Sequence, residues 1–137
     1  MVFGLTAVFA VITCCVSCPW TIHGLWPENG EWCNPTPLNH TAIQPLMNRL
    51  KSEWPTCYDV SDDLVLANDQ DFFYSSQLLN SDFSFWDHEW EKHGSCTGMD
   101  QVHYFNYTLN LYEKLLPSLP SKCQGEHKEC KLNVTIS

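Results

Sequence analysis

Two short segments of the chain concentrate side chains that take up and release protons. The first is Trp20-Thr21-Ile22-His23-Gly24-Leu25-Trp26-Pro27, and the second is Phe85-Trp86-Asp87-His88-Glu89-Trp90-Glu91-Lys92-His93-Gly94-Ser95-Cys96. On a helix, residues four apart share a face, so His88 with Lys92 and Glu89 with His93 gather two imidazoles, a carboxylate and an ammonium. Such a set suits phosphoryl transfer without metal. One imidazole takes a proton from the nucleophile, another protonates the leaving oxygen, and a fixed cation offsets charge on the phosphorane oxygens. RNA carries its own nucleophile in the 2′-hydroxyl and DNA does not, so a site of this kind selects RNA by its chemistry.

His88-Glu89 also begins the H-E-x-x-H pattern of zinc proteases. That pattern requires a second histidine at position 92, where Lys92 stands, and His93 is displaced by about 100° around the helix. The spacing therefore argues against a metal site, and no cofactor is expected. An inert, disulfide-rich domain with surface histidines is the bland alternative, and four reactive groups on one helix face weigh against it.

The elements that position these residues follow from periodicity. From Thr41 to Trp54, Ile43, Leu46, Met47, Leu50 and Trp54 recur at three and four, which predicts one helix with Pro45 in its first turn. Ser84 and Asp87 resemble a capping pair and Gly94 a stop, so a short helix is expected over Phe85 to His93. A further helix over Tyr104 to Leu116 would bury Phe105, Leu109, Tyr112 and Leu116. Tyr58 to Ser81 reads as a loop with one or two short elements. Cys130 to Ser137 alternates Leu132, Val134 and Ile136 with polar residues, as a half-buried strand does.

The chain has 137 residues, enough for one domain. Eight cysteines in that length suit a disulfide framework in an oxidising compartment. The uncharged, apolar opening up to Cys18 reads as a secretory signal over about residues 1–17 rather than a buried strand, ahead of a domain over 18–137. It is too short to span a membrane before Pro19. Sequons at Asn39, Asn106 and Asn133 agree with secretion and predict exposed positions. The net charge is −9, from 16 acidic and 7 basic side chains. That excludes an extended basic face for nucleic acid and leaves room only for a small local site, most effective at acid pH.

The two reactive segments resemble the active-site signatures of the ribonuclease T2 family of secreted and lysosomal acid ribonucleases: Ile22-His23-Gly24-Leu25-Trp26-Pro27, and His88-Glu89-Trp90-Glu91-Lys92-His93-Gly94 with Cys96. The resemblance implies an α+β fold, a central antiparallel sheet with flanking helices stapled by disulfides. It implies cleavage of single-stranded RNA through a 2′,3′-cyclic phosphate, by a monomer that is extracellular or, alternatively, lysosomal. His93 would be the general base and His23 the general acid. Glu89 and Lys92 would stabilise the pentacoordinate intermediate, and His88 would hold the phosphate. Trp26 falls where the family stacks a base, and Glu28 where it often places an acid that contacts the base. The family pattern also implies a Cys33 to Cys96 disulfide, pairing of Cys57 with Cys18 or a neighbour, and a small hairpin closed by Cys123 and Cys130.

The likeness is good from about Trp20 to Leu116. The family usually has a strand before the first signature and further strands beyond position 137, so the sheet is expected to be shortened at both ends. A more distant likeness to the egg-secreted immunomodulatory ribonucleases of parasitic flatworms suggests an alternative: a secreted glycoprotein module, binding host glycan receptors, with a vestigial ribonuclease site.

Overall fold

A computed structural model describes residues 6–13, 20–56, 71–123 and 129–136, with no side-chain description at 6 or over 71–81. Strands β1 (Thr6–Thr13), β2 (Thr21–Pro27) and β3 (Glu129–Ile136) form one antiparallel sheet in the order β2-β1-β3. Helices α1 (Met47–Glu53), α2 (Asp71–Lys92), α3 (Gln101–Leu115) and the short α4 (Leu119–Lys122) flank it. The expected α+β architecture is thus present.

The central strand corrects the reading of the N-terminal stretch. Residues 6–13, expected to lie within a leader, are the middle of the sheet, with Val8, Ala10, Val11 and Ile12 buried. An uncharged apolar run looks the same in a secretion signal and in a strand whose open-side residues, here Ala7 and Phe9, are apolar too, so composition could not separate them. The alternation after Cys130 is observed, with Cys130 and Ile136 buried and Leu132 and Val134 half-buried.

The helices depart from expectation at their ends. The single helix over Thr41 to Trp54 is a 3-10 turn at Gln44–Leu46 followed by α1, because Pro45 removes a backbone donor at the start. Helix α2 begins at Asp71, not Phe85, so Ser84 and Asp87 lie inside it and cap nothing. Asp100 caps α3 by accepting from His103 N at 2.8 Å. Leu116, expected in the buried stripe of α3, is exposed because the chain turns into a 3-10 segment there.

Aromatic side chains fill the space between sheet and helices. Trp54, Trp86, Tyr104 and Phe105 are fully buried, and each buried indole N–H has a carbonyl acceptor: Trp54 on His23 O, Trp86 on Trp54 O and Trp90 on Thr36 O. Two tyrosines tie α3 to β2. The Tyr104 hydroxyl donates to Leu25 O and accepts from Leu25 N, and the Tyr112 hydroxyl donates to Trp20 O. Disulfides join Cys33 to Cys96 and Cys123 to Cys130. The second links the end of α4 to β3 rather than two strands of a hairpin. Cys18 and Cys57 lie outside the described residues.

Candidate active site

The pairing of β1 with β2 slips once. Val11 faces Gly24 and Ile12 faces Ile22, which leaves His23 as the extra residue of a bulge. Strict alternation would put positions 23 and 26 on opposite faces of the sheet. One inserted residue reverses the phase, so His23 and Trp26 both emerge half-exposed while Ile22 and Leu25 are buried. The His23 carbonyl is held by the Trp54 indole at 3.0 Å, and its ring packs edge-on against Trp26 and Phe85.

Helix α2 brings its last turn against this bulge. Glu89 is 1% exposed, accepts a 2.7 Å bond from Trp26 Nε1 and lies 3.6 Å from His23 Nε2. Gly24 makes the approach possible, since a Cβ there would meet Glu89 Oε1 and stand 2.5 Å from Trp26 Nε1. Burial pushes the Glu89 carboxyl up to about 8, with Trp26 and Lys92 pulling it down and Glu129 pushing it further up. At acid pH it is therefore a neutral acid, able to donate a proton, and its contact with His23 is not an ion pair.

His93 follows the last helical residue and still donates its N–H to Glu89 O at 3.1 Å, which preserves the four-residue relation with Glu89. Its ring stacks on Trp26, 4.6 Å between centroids and 16° from parallel. Burial lowers its pKa to about 3, helped by Lys92, His88 and His23, so the ring is a neutral base in mild acid. His93 Nδ1 is buried with no hydrogen-bond partner. His23 is also lowered, first by burial and then by His88, Lys131 and Lys92, against which Glu129 acts.

Lys92 and His88 stand at the rim. Lys92 Nζ lies 3.5 Å from Glu31 Oε2, and His88 meets Trp32 nearly at right angles at 5.8 Å. The loop after β2 is clamped beside them by Trp32 N donating to Lys92 O, Cys33 N donating to Ser95 Oγ, and the Cys33–Cys96 bridge. All five expected catalytic residues therefore converge. Trp26 and Glu28 line an adjoining cleft of about 410 Å³, together with Phe9, Glu31, His93 and Lys131.

Two residues of β3 escaped the sequence reading. Glu129 Oε1 lies 3.6 Å from His23 Nδ1, and Lys131 Nζ sits 5.2 Å from the Trp26 ring centre. Alternation with Cys130 and Leu132 placed both on the open face of a strand, and only the strand order brings that face to His23. Among the described residues, no three His, Cys, Asp or Glu side chains are disposed to hold a metal, and no helix is long and apolar enough to cross a membrane. Asn39 and Asn133 are exposed as expected of sequons, whereas Asn106 is half-buried against Arg49.

Comparison with known proteins agrees with this geometry. The model of the Ribonuclease T2 family matches residues 6–121. Ribonuclease T2 of Sus scrofa is 37% identical over 102 residues, 70% of this chain and 42% of that protein. Ribonuclease T2 of Homo sapiens is 35% identical over 102 residues, covering 70% and 33%. The crystal structure of human RNase T2 superposes with a TM-score of 0.56 at 28% identity, covering 80% of this chain and 57% of that one. The chain spans less than half the length of these two relatives. A family match over most of the chain, on a sheet and helix that bring both signatures together, makes this protein a member of the ribonuclease T2 family.

Proposed function

We propose that this chain is an endoribonuclease that cuts single-stranded RNA by metal-independent transesterification to a 2′,3′-cyclic phosphate, followed by slower hydrolysis. The observation that carries this reading is the His93 ring, which lines the cleft, is kept neutral in mild acid and stands opposite His23 across Trp26. A 2′-hydroxyl placed in the cleft would give up its proton to this ring. His23, when protonated, donates to the departing 5′-oxygen. Neutral Glu89 donates a hydrogen bond to the phosphorane, Lys92 offsets its charge, and His88 holds the phosphate. A base in the cleft beside Trp26 and Glu28 fixes the nucleotide.

The two disulfides support an oxidising compartment, extracellular or lysosomal, and the exposed Asn39 and Asn133 are the sequons best placed for glycans. Disulfide-bonded protein incubated with single-stranded RNA in EDTA near pH 5 should yield cyclic-phosphate ends, and His93→Ala should abolish them. Cleavage only with added metal would overturn the mechanism. Intact RNA after prolonged incubation would instead assign the chain to a binding glycoprotein with a vestigial site.

A further inference from the structure

Asn133, which begins the sequon Asn133-Val134-Thr135, stands on β3 directly across from Phe9 of β1, and Phe9 is in turn paired with Trp26 of β2. Residues opposite each other in antiparallel strands share a face of the sheet, with Cβ atoms about 4.5–5.5 Å apart. Asn133, Phe9 and Trp26 therefore form one row. It lies on the face turned away from α3, which packs on Ala10, Ile12 and Ile22. Lys131 and Thr135, two residues to either side of Asn133, share that face. Phe9, Trp26 and Lys131 all line the cleft of about 410 Å³ beside the catalytic histidines. Exposed Asn133 thus borders the cleft, across from one lining residue and next along the face from another. The other two sequons are placed differently: Asn106 faces Arg49 between α1 and α3, and Asn39 lines a separate cleft with Trp90 and Gln101.

We propose that Asn133 carries an N-linked glycan that walls the RNA cleft on its β3 side and screens out folded RNA while admitting short unpaired strands. The inference rests on the ribonuclease reading above and adds to it a control of substrate shape. In the attachment, the Asn133 side-chain nitrogen displaces the diphosphate of a lipid-linked oligosaccharide at the anomeric carbon of its first sugar, losing a proton as the N–C bond forms. That sugar would lie against the half-buried Phe9 ring, its partner across the strands, beside Lys131 Nζ, which sits 5.9 Å from the centre of the same ring. Contact with Phe9 directs the glycan along the row toward Trp26. A glycan is bulky and hydrated, so it takes up room that an approaching helix would need. A single strand can splay one base into the cleft beside Trp26, whereas a helix brings its second strand with it.

The test uses protein expressed through a eukaryotic secretory pathway. Wild type is compared with Asn133→Gln and Thr135→Ala, which remove the sequon at different residues, and with Thr135→Ser, which keeps it. Mass spectrometry of the peptide containing Asn133 reads occupancy. Fluorescence anisotropy at pH 5 reads binding of two labelled RNAs made uncleavable by 2′-fluoro substitution, a trinucleotide and a stem-loop. Both sequon-less variants should bind the stem-loop roughly two- to tenfold more tightly than wild type, as when one ordered group no longer has to be displaced. Their trinucleotide affinity should stay within about twofold of wild type, and Thr135→Ser should match wild type on both probes. The proposal is overturned by an unoccupied Asn133 in wild type, by equal stem-loop affinity with and without the glycan, or by an equal gain on both probes. A gain in only one of the two sequon-less variants also overturns it, because the effect would then belong to a side chain. A trinucleotide that binds, but whose 2′-hydroxyl counterpart is left uncut, counts against the ribonuclease reading alone.

Discussion

His23 Nδ1 lies 3.6 Å from Glu129 Oε1, a carboxylate two strands away in the sheet. Burial, His88, Lys131 and Lys92 all make the imidazole harder to protonate, and among these neighbours Glu129 alone opposes them. In the reaction proposed above His23 is the general acid and must carry its proton beforehand, so Glu129 is expected to widen the pH range over which His23 is ready. Glu129→Gln should move the alkaline limb of kcat/KM to lower pH. The loss should be roughly two- to fivefold at pH 7, less at pH 5, as for a partly exposed pair. Glu129→Asp should recover part of it. Superimposable pH profiles for wild type and Glu129→Gln would remove Glu129 from the mechanism.

Glu89 and His93 have the most strongly opposed shifts in the site and are expected to shape the pH dependence of stability. Unfolded, the carboxyl titrates near 4.5 and the imidazole near 6.5; folded, they titrate near about 8 and about 3. Between pH 3 and 4.5 the unfolded chain binds the extra proton, on His93, and stability rises with pH. From 4.5 to 6.5 the two groups cancel. From 6.5 to 8 the folded chain holds the extra proton, on Glu89, and stability falls. Glu53, pushed up to about 7 by burial and by Glu113, adds a decline above 4.5. Melting temperature should therefore peak in mild acid, and Glu89→Gln should flatten the fall between pH 6.5 and 8. An equal fall in both proteins would show that Glu89 does not carry it.

Gly24→Ala should disable the site while sparing the fold. The added methyl would press on Glu89 Oε1 and Trp26 Nε1, the two partners of the bond that seats the buried carboxyl. A displacement of about 1 Å at a catalytic group can lower the rate by about 100-fold. Far-ultraviolet circular dichroism should stay close to wild type with kcat down by that order. Near-normal kcat would mean that the position of Glu89 matters little.

Opening the Cys33–Cys96 bridge should loosen the loop that carries Glu31 and Trp32 against Lys92. The double variant Cys33→Ala/Cys96→Ala is expected to lose about 2–4 kcal/mol by denaturant unfolding, since the bridge closes a long loop. Its kcat/KM should fall further than its stability alone explains at a temperature where it is fully folded. Stability lost with kcat/KM intact would make the bridge a staple without a role in positioning.

The site was more legible in the sequence than the frame around it. His88, Glu89, Lys92 and His93 are spaced by helical periodicity, a local rule, and they converge as that rule predicts. The bulge at His23 left no comparable trace. Only the pairing of Val11 with Gly24 and Ile12 with Ile22 reveals it. The first turns of α2 were hidden because Ser75, Ser76, Asn80, Ser81 and Asp82 favour local side-chain bonds over helix, so propensity pointed to a loop. Residues 6–13 were misread for a different reason: Ala7 and Phe9 on the open side are apolar like the buried Val8 and Ala10, so no polar alternation marks the strand. Glu129 was invisible because its role depends on a partner far along the chain.

The strand order also divides the site into a local part and a long-range part. Strands β1 and β2 are close neighbours along the chain, whereas β3 reaches the other edge of β1 only after a loop on the order of a hundred residues has closed. Glu129 and Lys131 thus join His23 and Trp26 only when that long-range pairing is made. Docking of β3 thereby completes the surroundings of His23: without it the imidazole lacks the one neighbouring carboxylate that opposes the lowering of its pKa.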